Sequence, residues 1–411
     1  MPPSRSGFLC ILLITSLYVS AQDIPTPSGK FGIGHHRFEW ADKSRPEILG
    51  ENNKPREIVV DIWYPSDRSS GVAVPYLDTA AITQSGGLQS LLGGPAANRV
   101  RSTGIHTHAY ENTPFTSSLK SAPVLFFSHG MGMISQLYTG QIEDLASHGY
   151  VVVAIQHTYD AWLTSFSDGR QMAFEKKQRN AAGNTEEQHI AYENKRIEWW
   201  AEDIRFAYDQ LAILNRSKDS TIRIAGFLDL NRVGALGHSS GGRAAARACQ
   251  LDPRIKSCAD QDGVAMMQPF YIQKNGIGMK QPFLLFERVQ YRPPTEADIA
   301  SMGMSLQEVK DLVARLRKQK EDALKSTGES FHVLLKFDSS NHMSFSDLPL
   351  LNAKTEAELN LAYKLLQTTC NYTREFFDKT LRGVSAPLYD RPKKLNYIEV
   401  VEHYKNLRDR K

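Results

Sequence analysis

A short motif of glycine and serine residues offers a candidate nucleophile. Gly237, Ser239 and Gly241 form the pattern Gly-x-Ser-x-Gly, which follows an apolar run at 233–236 and precedes an alanine-rich segment at 243–249. Because glycine lacks a Cβ atom, a chain with this pattern can turn sharply from a strand into a helix and hold the serine in strained backbone angles. The pattern also occurs by chance in glycine-rich loops, but here the neighbouring segments supply the expected strand and helix. We therefore predict that Ser239 is a nucleophile.

Acyl transfer by a serine also needs a general base and a carboxylate that orients the base. His342 follows the last predicted strand, in a small polar loop, and is the candidate base. Two carboxylates are candidates for the acid: Asp262, after the strand that follows the serine and its helix, and Glu287, at the end of the next strand. Position alone leaves them as alternatives. The chain order of serine, acid and histidine is the one found in α/β-hydrolases.

The remaining requirement is a set of donors for the oxyanion, which backbone N–H groups commonly supply. Ser240 follows the nucleophile, and Met131 lies in the sequence His-Gly-Met-Gly at 129–132, directly after an apolar strand. We predict that their N–H groups form the oxyanion hole. His157 and His238 are candidate substrate-lining residues, although His238 is expected to point away from the nucleophile. The chain has no Cys-x-x-Cys or His-Glu-x-x-His pattern, so we predict no metal and no cofactor.

Alternating strands and helices must position these residues. The apolar runs at 123–128 and 150–155 are typical of strands covered on both faces, and a helical stretch joins them. Two strands joined in this way form a βαβ unit and run parallel. Further strands are predicted at 58–64, 255–259, 281–287 and 331–337, and longer helices at 197–214 and 361–381. The sequence therefore predicts the α/β class, as an α/β-hydrolase fold with a mostly parallel central sheet and helices on both faces.

One charged segment interrupts this alternation. Residues 290–328 are dense in Lys, Arg, Glu and Asp and include a helical segment at 305–325. We predict that residues 290–328 form an inserted cap or arm with a solvated face, and not a separate domain. Residues 22–411 are then a single α/β-hydrolase domain.

The N-terminus has the features of a secretory signal peptide. Arg5 provides a positive charge, the apolar run at 8–19 is too short to span a bilayer as a helix, and small residues lead up to Ala21. We predict cleavage near Ala21, which removes residues 1–21 and makes the mature protein secreted or periplasmic. A retained membrane anchor is the alternative.

Composition and charge narrow the classes of partner. The chain has 411 residues, of which 49 are basic and 45 acidic, and its formal net charge is +4. This balance argues against nucleic acid, which requires a concentrated basic face. Cys249, Cys258 and Cys370 remain in the mature chain, and three thiols cannot all pair, so no disulfide framework is expected. A bridge between Cys249 and Cys258 stays open.

Several stretches, taken in order, resemble one family of ester hydrolases. They are residues 62–66, 127–132 with 144–150, 237–242, 261–263 and 341–347. Together they are similar to the plasma and intracellular type II platelet-activating factor acetylhydrolases, the lipoprotein-associated phospholipase A2 family. The resemblance implies a calcium-independent serine esterase that cleaves short or oxidised acyl chains from the sn-2 position of phospholipids. It is compatible with peripheral contact to lipid surfaces, and it favours Asp262 over Glu287 as the acid.

Three departures from that family bear on the substrate. Ser240 stands where the family commonly has Phe, Gly263 stands where it has an aromatic residue, and residues 290–328 lengthen the segment between acid and base. A general carboxylesterase of the dienelactone-hydrolase or polyester-hydrolase type is therefore the alternative enzyme. A catalytically inactive binding module is the alternative outside enzymes, and the full set of serine, acid, histidine and oxyanion candidates argues against it.

Overall fold

The computed structural model describes residues 24–50, 54–78, 82, 87–103, 105–175, 186–263, 279–288, 305–337, 340–393 and 395–405. The predicted signal peptide at 1–21 and the first part of the predicted charged insertion, at 290–304, lie outside the described residues. Within the described ranges, no helix is both long and apolar enough to cross a membrane. Cys249, Cys258 and Cys370 are buried free thiols.

A ten-stranded sheet forms the centre of the described structure. Its strands are β1 (Gly32–Pro46), β2 (Pro55–Ser66), β3 (Ala109–Glu111), β4 (Ala122–Ser128), β5 (Val151–Gln156), β8 (Leu228–His238), β9 (Ile255–Gln261), β10 (Phe283–Arg288), β11 (Glu329–Leu335) and β12 (Ile398–Lys405), while β6 (Leu163–Ser165) and β7 (Gln171–Ala173) pair separately. The spatial order is β12-β11-β10-β9-β8-β4-β5-β2-β1-β3. The adjacent strands from β11 to β5 are all parallel. Towards the edges, β12 pairs antiparallel with β11, β2 with β5, and β1 with β2. The mostly parallel sheet confirms the predicted fold class.

Helices pack on this sheet. In chain order the α-helices of the described residues are α1 (Leu88–Leu92), α2 (Gly94–Thr103), α3 (Thr139–Ser147), α4 (Glu186–Leu214), α5 (Ser240–Leu251), α6 (Leu306–Ser326), α7 (Leu348–Asn352), α8 (Glu356–Phe377) and α9 (Pro387–Asp390). Short 3₁₀ turns cover Ser135–Tyr138 and His342–Phe345, and a π-helical turn, Asp378–Arg382, follows α8 directly.

Consecutive residues of a central strand enter opposite layers of the core, as the two-residue repeat of a strand requires. In β5, Val151, Val153 and Ile155 pack in one layer with α4 and α5, whereas Val152 and Ala154 pack in the other with α3 and α8. Both layers exclude water from the strand, which is why its sequence is apolar without interruption. The prediction of helices on both faces of the sheet is thereby confirmed.

Three elements differ from the sequence-based expectations. Helix α4 begins at Glu186, well before the predicted start at 197. Strand β12 adds an edge to the sheet where the sequence predicts only a basic tail. Helix α6 connects β10 to β11, which are neighbouring parallel strands, and it buries Val309 and Leu324. It therefore occupies the place of a crossover helix. That residues 290–328 also form a cap or arm stays a prediction, because 290–304 lie outside the described residues.

Candidate active site

The sharp turn between β8 and α5 holds Ser239 in a strained backbone conformation. Its φ is 56° and its ψ is −125°. Residues other than glycine rarely adopt a positive φ, and such strain concentrates at functional sites. The Ser239 N–H donates a 2.9 Å hydrogen bond to the carbonyl oxygen of Gln261, at the end of β9. This bond ties the turn to the next strand and helps to keep the serine at the carboxyl edge of the sheet.

The two glycines of the motif are required by close backbone contacts. A Cβ atom on Gly237 would lie 2.5 Å from the carbonyl oxygen of Ser128, and one on Gly241 would lie 2.1 Å from the same oxygen and 2.5 Å from the carbonyl oxygen of His129. Such distances are too short for any side chain, so only glycine fits. The absence of side chains lets the turn approach the end of β4, from which the His-Gly-Met-Gly segment starts.

Three of the predicted site residues meet at this turn. The Nε2 atom of His342 lies 2.9 Å from the Oγ atom of Ser239, and its Nδ1 atom lies 2.6 Å from the Oδ2 atom of Asp262. An ionised carboxylate only accepts hydrogen bonds, so the proton of the neutral imidazole belongs on Nδ1 and Nε2 is free to accept the serine proton. The side chain of Asp262 is fully buried, whereas that of His342 is 28% exposed. The arrangement has the geometry of a serine nucleophile with an oriented base.

Asp262 is held in place by its own partners. Its φ is 58°, and its N–H donates a 2.8 Å hydrogen bond to the carbonyl oxygen of Phe286 in β10. The Nε of Arg288 donates to Oδ2 at 3.1 Å, and the backbone N–H of Arg288 donates to Oδ1 at 3.3 Å. The guanidinium group of Arg288 thus places a positive charge beside this buried carboxylate. Arg288 is a contributor that the sequence reasoning missed; its position at the end of a strand beside Glu287 was the available signal.

Glu287 has different partners. Its Oε2 atom lies 2.7 Å from Nε2 of His332 and 2.8 Å from Nζ of Lys320. Burial alone would raise the pKa of Glu287, but the hydrogen bond from His332 and the charge of Lys320 outweigh burial and lower it. Of the two carboxylates that the sequence left as alternatives, the structure therefore brings Asp262 to His342 and places Glu287 in a separate ionic cluster.

The segment after β4 presents a candidate oxyanion donor. The N–H of Met133 donates to the carbonyl oxygen of Gly130 at 3.0 Å and closes a tight turn, in which Gly132 has a φ of 72°. Met131 is the second residue of this turn, so its N–H is not used by the turn's own hydrogen bond. Ser240 is the first residue of α5, and the first N–H groups of a helix have no partner within the helix. Both N–H groups are therefore suited to donate a hydrogen bond to an acceptor outside their own elements, such as the oxyanion of a substrate.

The histidine of this segment, His129, supports the turn through the hydrogen bonds of its ring. The backbone N–H of His157 donates to Nε2 of His129 at 3.2 Å, so Nδ1 of His129 carries the proton and donates to the carbonyl oxygen of Gly130 at 2.8 Å. Burial lowers the pKa of His129 to about 3, which keeps the ring neutral. The N–H of Gly132 also donates to the carbonyl oxygen of Asp160 at 2.8 Å. These bonds restrict the directions in which the turn can point its remaining N–H.

The side chain of His157 lies in the interior and is fully buried. Its Nδ1 atom is 2.9 Å from Oδ2 of Asp203, its Nε2 atom is 3.0 Å from Oγ of Ser128, and its ring stacks on Trp200 with centroids 4.0 Å apart. Both ring nitrogens are therefore engaged and neither faces a cleft. The expectation that His157 lines the substrate does not fit this placement, because adjacency to a strand end says nothing about which way the ring turns.

His238 is also fully buried. Its Nδ1 atom lies 2.8 Å from the hydroxyl of Tyr138, and its Nε2 atom lies 2.7 Å from the carbonyl oxygen of His342. Both ring nitrogens have partners in the interior, which does not fit the prediction that His238 lines the substrate. That it points away from the nucleophile stays a prediction. Tyr138 is a second residue that the sequence reasoning missed, and no pattern in the sequence distinguishes it from an ordinary core tyrosine.

Across the described ranges, no group of three or more His, Cys, Asp or Glu side chains is arranged to hold a metal ion.

Comparisons of the sequence with known proteins identify a family and several relatives. The family model described as platelet-activating factor acetylhydrolase, isoform II, matches residues 18–364. A "Probable 1-alkyl-2-acetylglycerophosphocholine esterase" from Arthroderma benhamiae is 24% identical over 68% of this chain and 70% of its own length. A "Platelet-activating factor acetylhydrolase" from Canis lupus familiaris is 24% identical over 59% of this chain, and the alignment spans 56% of the canine protein.

A comparison with solved structures identifies the same fold. A ferulic acid esterase from Streptomyces cinnamoneus superposes with a TM-score of 0.68 at 24% identity, over 93% of this chain and 100% of the bacterial enzyme. At that identity the likeness establishes the fold, and the family follows from the match over residues 18–364. The chain thus belongs to the platelet-activating factor acetylhydrolase isoform II family and is a carboxylic ester hydrolase with an α/β-hydrolase fold.

Proposed function

We propose that this chain is a secreted serine ester hydrolase that cleaves short or oxidised acyl chains from the sn-2 position of phospholipids. The observation that carries the proposal is the pair of hydrogen bonds that joins Ser239 to His342 and His342 to Asp262, at 2.9 and 2.6 Å. Membership of the family and the names of the fungal and canine relatives support a phospholipid ester as substrate.

The first half of the reaction is acylation of the enzyme. The Oγ atom of Ser239 attacks the carbonyl carbon of the sn-2 ester while Nε2 of His342 takes the hydroxyl proton. Asp262 stabilises the imidazolium that forms, because its carboxylate already accepts a hydrogen bond from the Nδ1–H group. The N–H groups of Met131 and Ser240 donate to the oxygen that becomes negatively charged. When the tetrahedral intermediate collapses, His342 returns the proton to the departing lysophospholipid oxygen.

The second half regenerates the enzyme. Water attacks the acyl group on Ser239, and His342 accepts a proton from that water as it did from the serine. The acid product leaves and Ser239 recovers its proton. Each step uses the same base in the same position, so the 2.9 Å contact between His342 and Ser239 serves both halves.

One observation favours a second candidate. Gly263 lies against the nucleophile, and a Cβ atom there would be 2.4 Å from the carbonyl oxygen of Ser239 and 2.4 Å from Oδ1 of Asp260. The aromatic residue common at this place in the family cannot be accommodated without moving the turn, so the acyl site is shaped differently here. A general carboxylesterase of the dienelactone-hydrolase or polyester-hydrolase type is therefore the alternative. The contacts among Ser239, His342 and Asp262 argue against an inactive binding module.

The test compares three esters with purified protein. They are 1-alkyl-2-acetylglycerophosphocholine, a phosphatidylcholine with a long unmodified sn-2 chain, and 4-nitrophenyl butyrate, each assayed with and without a chelator of calcium. We expect turnover of the acetyl phospholipid well above that of the long-chain lipid, no effect of the chelator, and no turnover by Ser239→Ala. Hydrolysis of the nitrophenyl ester without release of acetate from the phospholipid would assign the alternative instead.

Export is tested separately. N-terminal sequencing of the mature protein from its native host should begin at Gln22, the residue after the proposed cleavage site. A mature protein that retains residues 1–21 would indicate the membrane anchor. Peripheral contact with lipid surfaces belongs to the same proposal, and co-sedimentation with phosphatidylcholine vesicles measures it directly.

A further inference from the structure

The residue before the nucleophile contacts the residue that supplies the base. His238 is the last residue of β8, and its ring is completely buried. Its Nε2 atom lies 2.7 Å from the backbone carbonyl oxygen of His342, and the centroids of the two histidine rings are 4.5 Å apart. Ser239 contacts the ring of His342, and His238, the residue directly before Ser239, contacts the backbone of His342. The base is therefore contacted at two points by two consecutive residues.

The protons of this arrangement can be assigned from its partners. A carbonyl oxygen only accepts, so Nε2 of His238 must carry the ring proton and Nδ1 must accept. The hydroxyl of Tyr138, 2.8 Å away, then donates to Nδ1, and its oxygen accepts a 3.0 Å hydrogen bond from the N–H of Gly130. The sulfur of Met133, 3.0 Å from the same hydroxyl, is a weaker acceptor than a ring nitrogen. One chain of donors thus runs from Gly130 through Tyr138 and His238 to His342.

The ring of His238 stays neutral while His342 acts as the general base. Burial and the neighbouring His342 hold the pKa of His238 well below its usual range. Burial raises the pKa of Tyr138, so its hydroxyl keeps its proton. Both shifts favour the same direction of the hydrogen bonds, from Tyr138 to His238 and from His238 to His342.

This chain of hydrogen bonds connects the parts that must keep their relative positions. Gly130 belongs to the turn that presents Met131, and His342 opens a 3₁₀ turn whose start is capped by the side chain of Asn341, which accepts from the N–H of Met343 at 2.8 Å. Asp262 restrains the ring of His342 and makes no contact with its backbone carbonyl group. The contact from His238 adds a restraint on that carbonyl oxygen.

We propose that His238 is a positioning residue, which holds the backbone of His342 so that its Nε2 atom stays within reach of Ser239, and that Tyr138 extends this restraint to the oxyanion turn. The inference rests on the serine-hydrolase mechanism proposed above. A misplacement of about 1 Å in a catalytic group can cost on the order of 10²-fold in rate. A buried histidine with a purely structural role would instead affect stability and leave the rate of the folded enzyme unchanged.

Three variants separate these roles. His238→Leu removes the donor to His342, and we expect kcat for a short-chain nitrophenyl ester to fall on the order of 10²-fold with little change in KM. His238→Gln keeps a side-chain N–H that can reach the same carbonyl oxygen and should restore part of the rate. Tyr138→Phe keeps the ring and removes the hydroxyl, and the loss of one hydrogen bond should lower kcat by about tenfold.

The matched control is His35→Gln. His35 is also a buried histidine with two side-chain partners, Asp61 at 3.1 Å and Glu111 at 3.2 Å, but it lies in β1, four strands away from β8. We expect this variant to lower the thermal unfolding midpoint without lowering kcat below that midpoint. The same kinetic loss in His35→Gln as in His238→Leu would show that general destabilisation explains both.

Two outcomes overturn the inference and can be told apart. If wild-type protein hydrolyses the ester and folded His238→Leu does so at the same kcat, the positioning role is wrong and the mechanism stands. If His238→Leu does not fold, His238→Phe, which keeps a ring and also lacks the donor, takes its place, and a wild-type kcat in folded His238→Phe overturns the positioning role in the same way. A wild-type kcat in Tyr138→Phe overturns the link to the oxyanion turn. If the wild-type protein is inactive and a fluorophosphonate does not label Ser239, the proposed mechanism fails, and the inference fails with it.

Discussion

Replacing Asp262 by Asn keeps the shape of the candidate acid and removes its charge. The site is well suited to this exchange, because Asn tolerates the φ of 58° found at this position. The carboxylate accepts from Nδ1 of His342 at 2.6 Å and from Nε of Arg288 at 3.1 Å through the same oxygen, and from the N–H of Arg288 through the other. An amide cannot reproduce this pattern, since whichever way it turns, its NH₂ group meets a donor of Arg288.

The size of the effect follows from two contributions. A hydrogen bond to a charged group contributes about 1.5–3 kcal/mol, which corresponds to about 10- to 150-fold in rate at about 1.4 kcal/mol per factor of ten. If the amide NH₂ faces His342, it also favours the tautomer with the proton on Nε2, which cannot accept from Ser239. Loss of the correct tautomer raises the total to about 10⁴-fold. We therefore expect kcat for Asp262→Asn to fall by at least about 10-fold, if only the hydrogen bond is weakened, and by up to about 10⁴-fold, if the wrong tautomer is also favoured.

The matched variant is Glu287→Gln. Glu287 contacts His332 and Lys320 and not His342, so we expect its kcat to change by less than about tenfold, while its unfolding midpoint falls because a buried ionic contact is weakened. The assay is steady-state hydrolysis of 4-nitrophenyl butyrate, with circular dichroism to confirm that both variants are folded. A larger loss of kcat in Glu287→Gln than in Asp262→Asn would refute the assignment of the acid.

Two further predictions concern the turn and the core. Gly241→Ala should destabilise the fold by about 1–3 kcal/mol or more and abolish ester hydrolysis, because its Cβ would lie 2.1 Å from the carbonyl oxygen of Ser128. The control in thermal unfolding is Gly94→Ala, where the atom nearest to the new Cβ is 3.5 Å away. Burial raises the pKa of Asp347 to about 8, so between about pH 4 and 8 only the unfolded chain loses this proton and the free energy of unfolding falls as pH rises. Asp347→Asn should flatten this slope in denaturant titrations, and an unchanged slope would contradict the assignment.

The central sheet was predictable because burial on both faces leaves a mark in the sequence. Apart from their last residues, Ser128 and Gln156, strands β4 and β5 are apolar, since most of their side chains enter one of the two core layers. The turn at Ser239 was predictable for a different reason: the approach of Gly237 and Gly241 to the end of β4 excludes every side chain, so the two glycines reveal the geometry.

Other features depend on contacts between distant parts of the chain. Asp262 and Glu287 end neighbouring strands, and only the course of the chain after each strand decides which one reaches His342. Strand β12 was not predicted, because an edge strand is covered on fewer sides and its sequence carries less apolar signal. His157 and His238 were placed beside the substrate from their positions along the chain, whereas the directions of their rings are set by Asp203, Ser128 and Tyr138.

The role of Ser239 as nucleophile is tested most directly by locating the residue that reacts with a fluorophosphonate. Wild-type protein is treated with the probe and digested, and the modified peptide is identified by mass spectrometry, alongside Ser239→Ala and a heat-unfolded sample. We predict one modification, on Ser239, that appears in step with the loss of ester hydrolysis and is absent from both controls. Modification of another residue that accounts for the loss of activity, or full activity in Ser239→Ala, would contradict the mechanism.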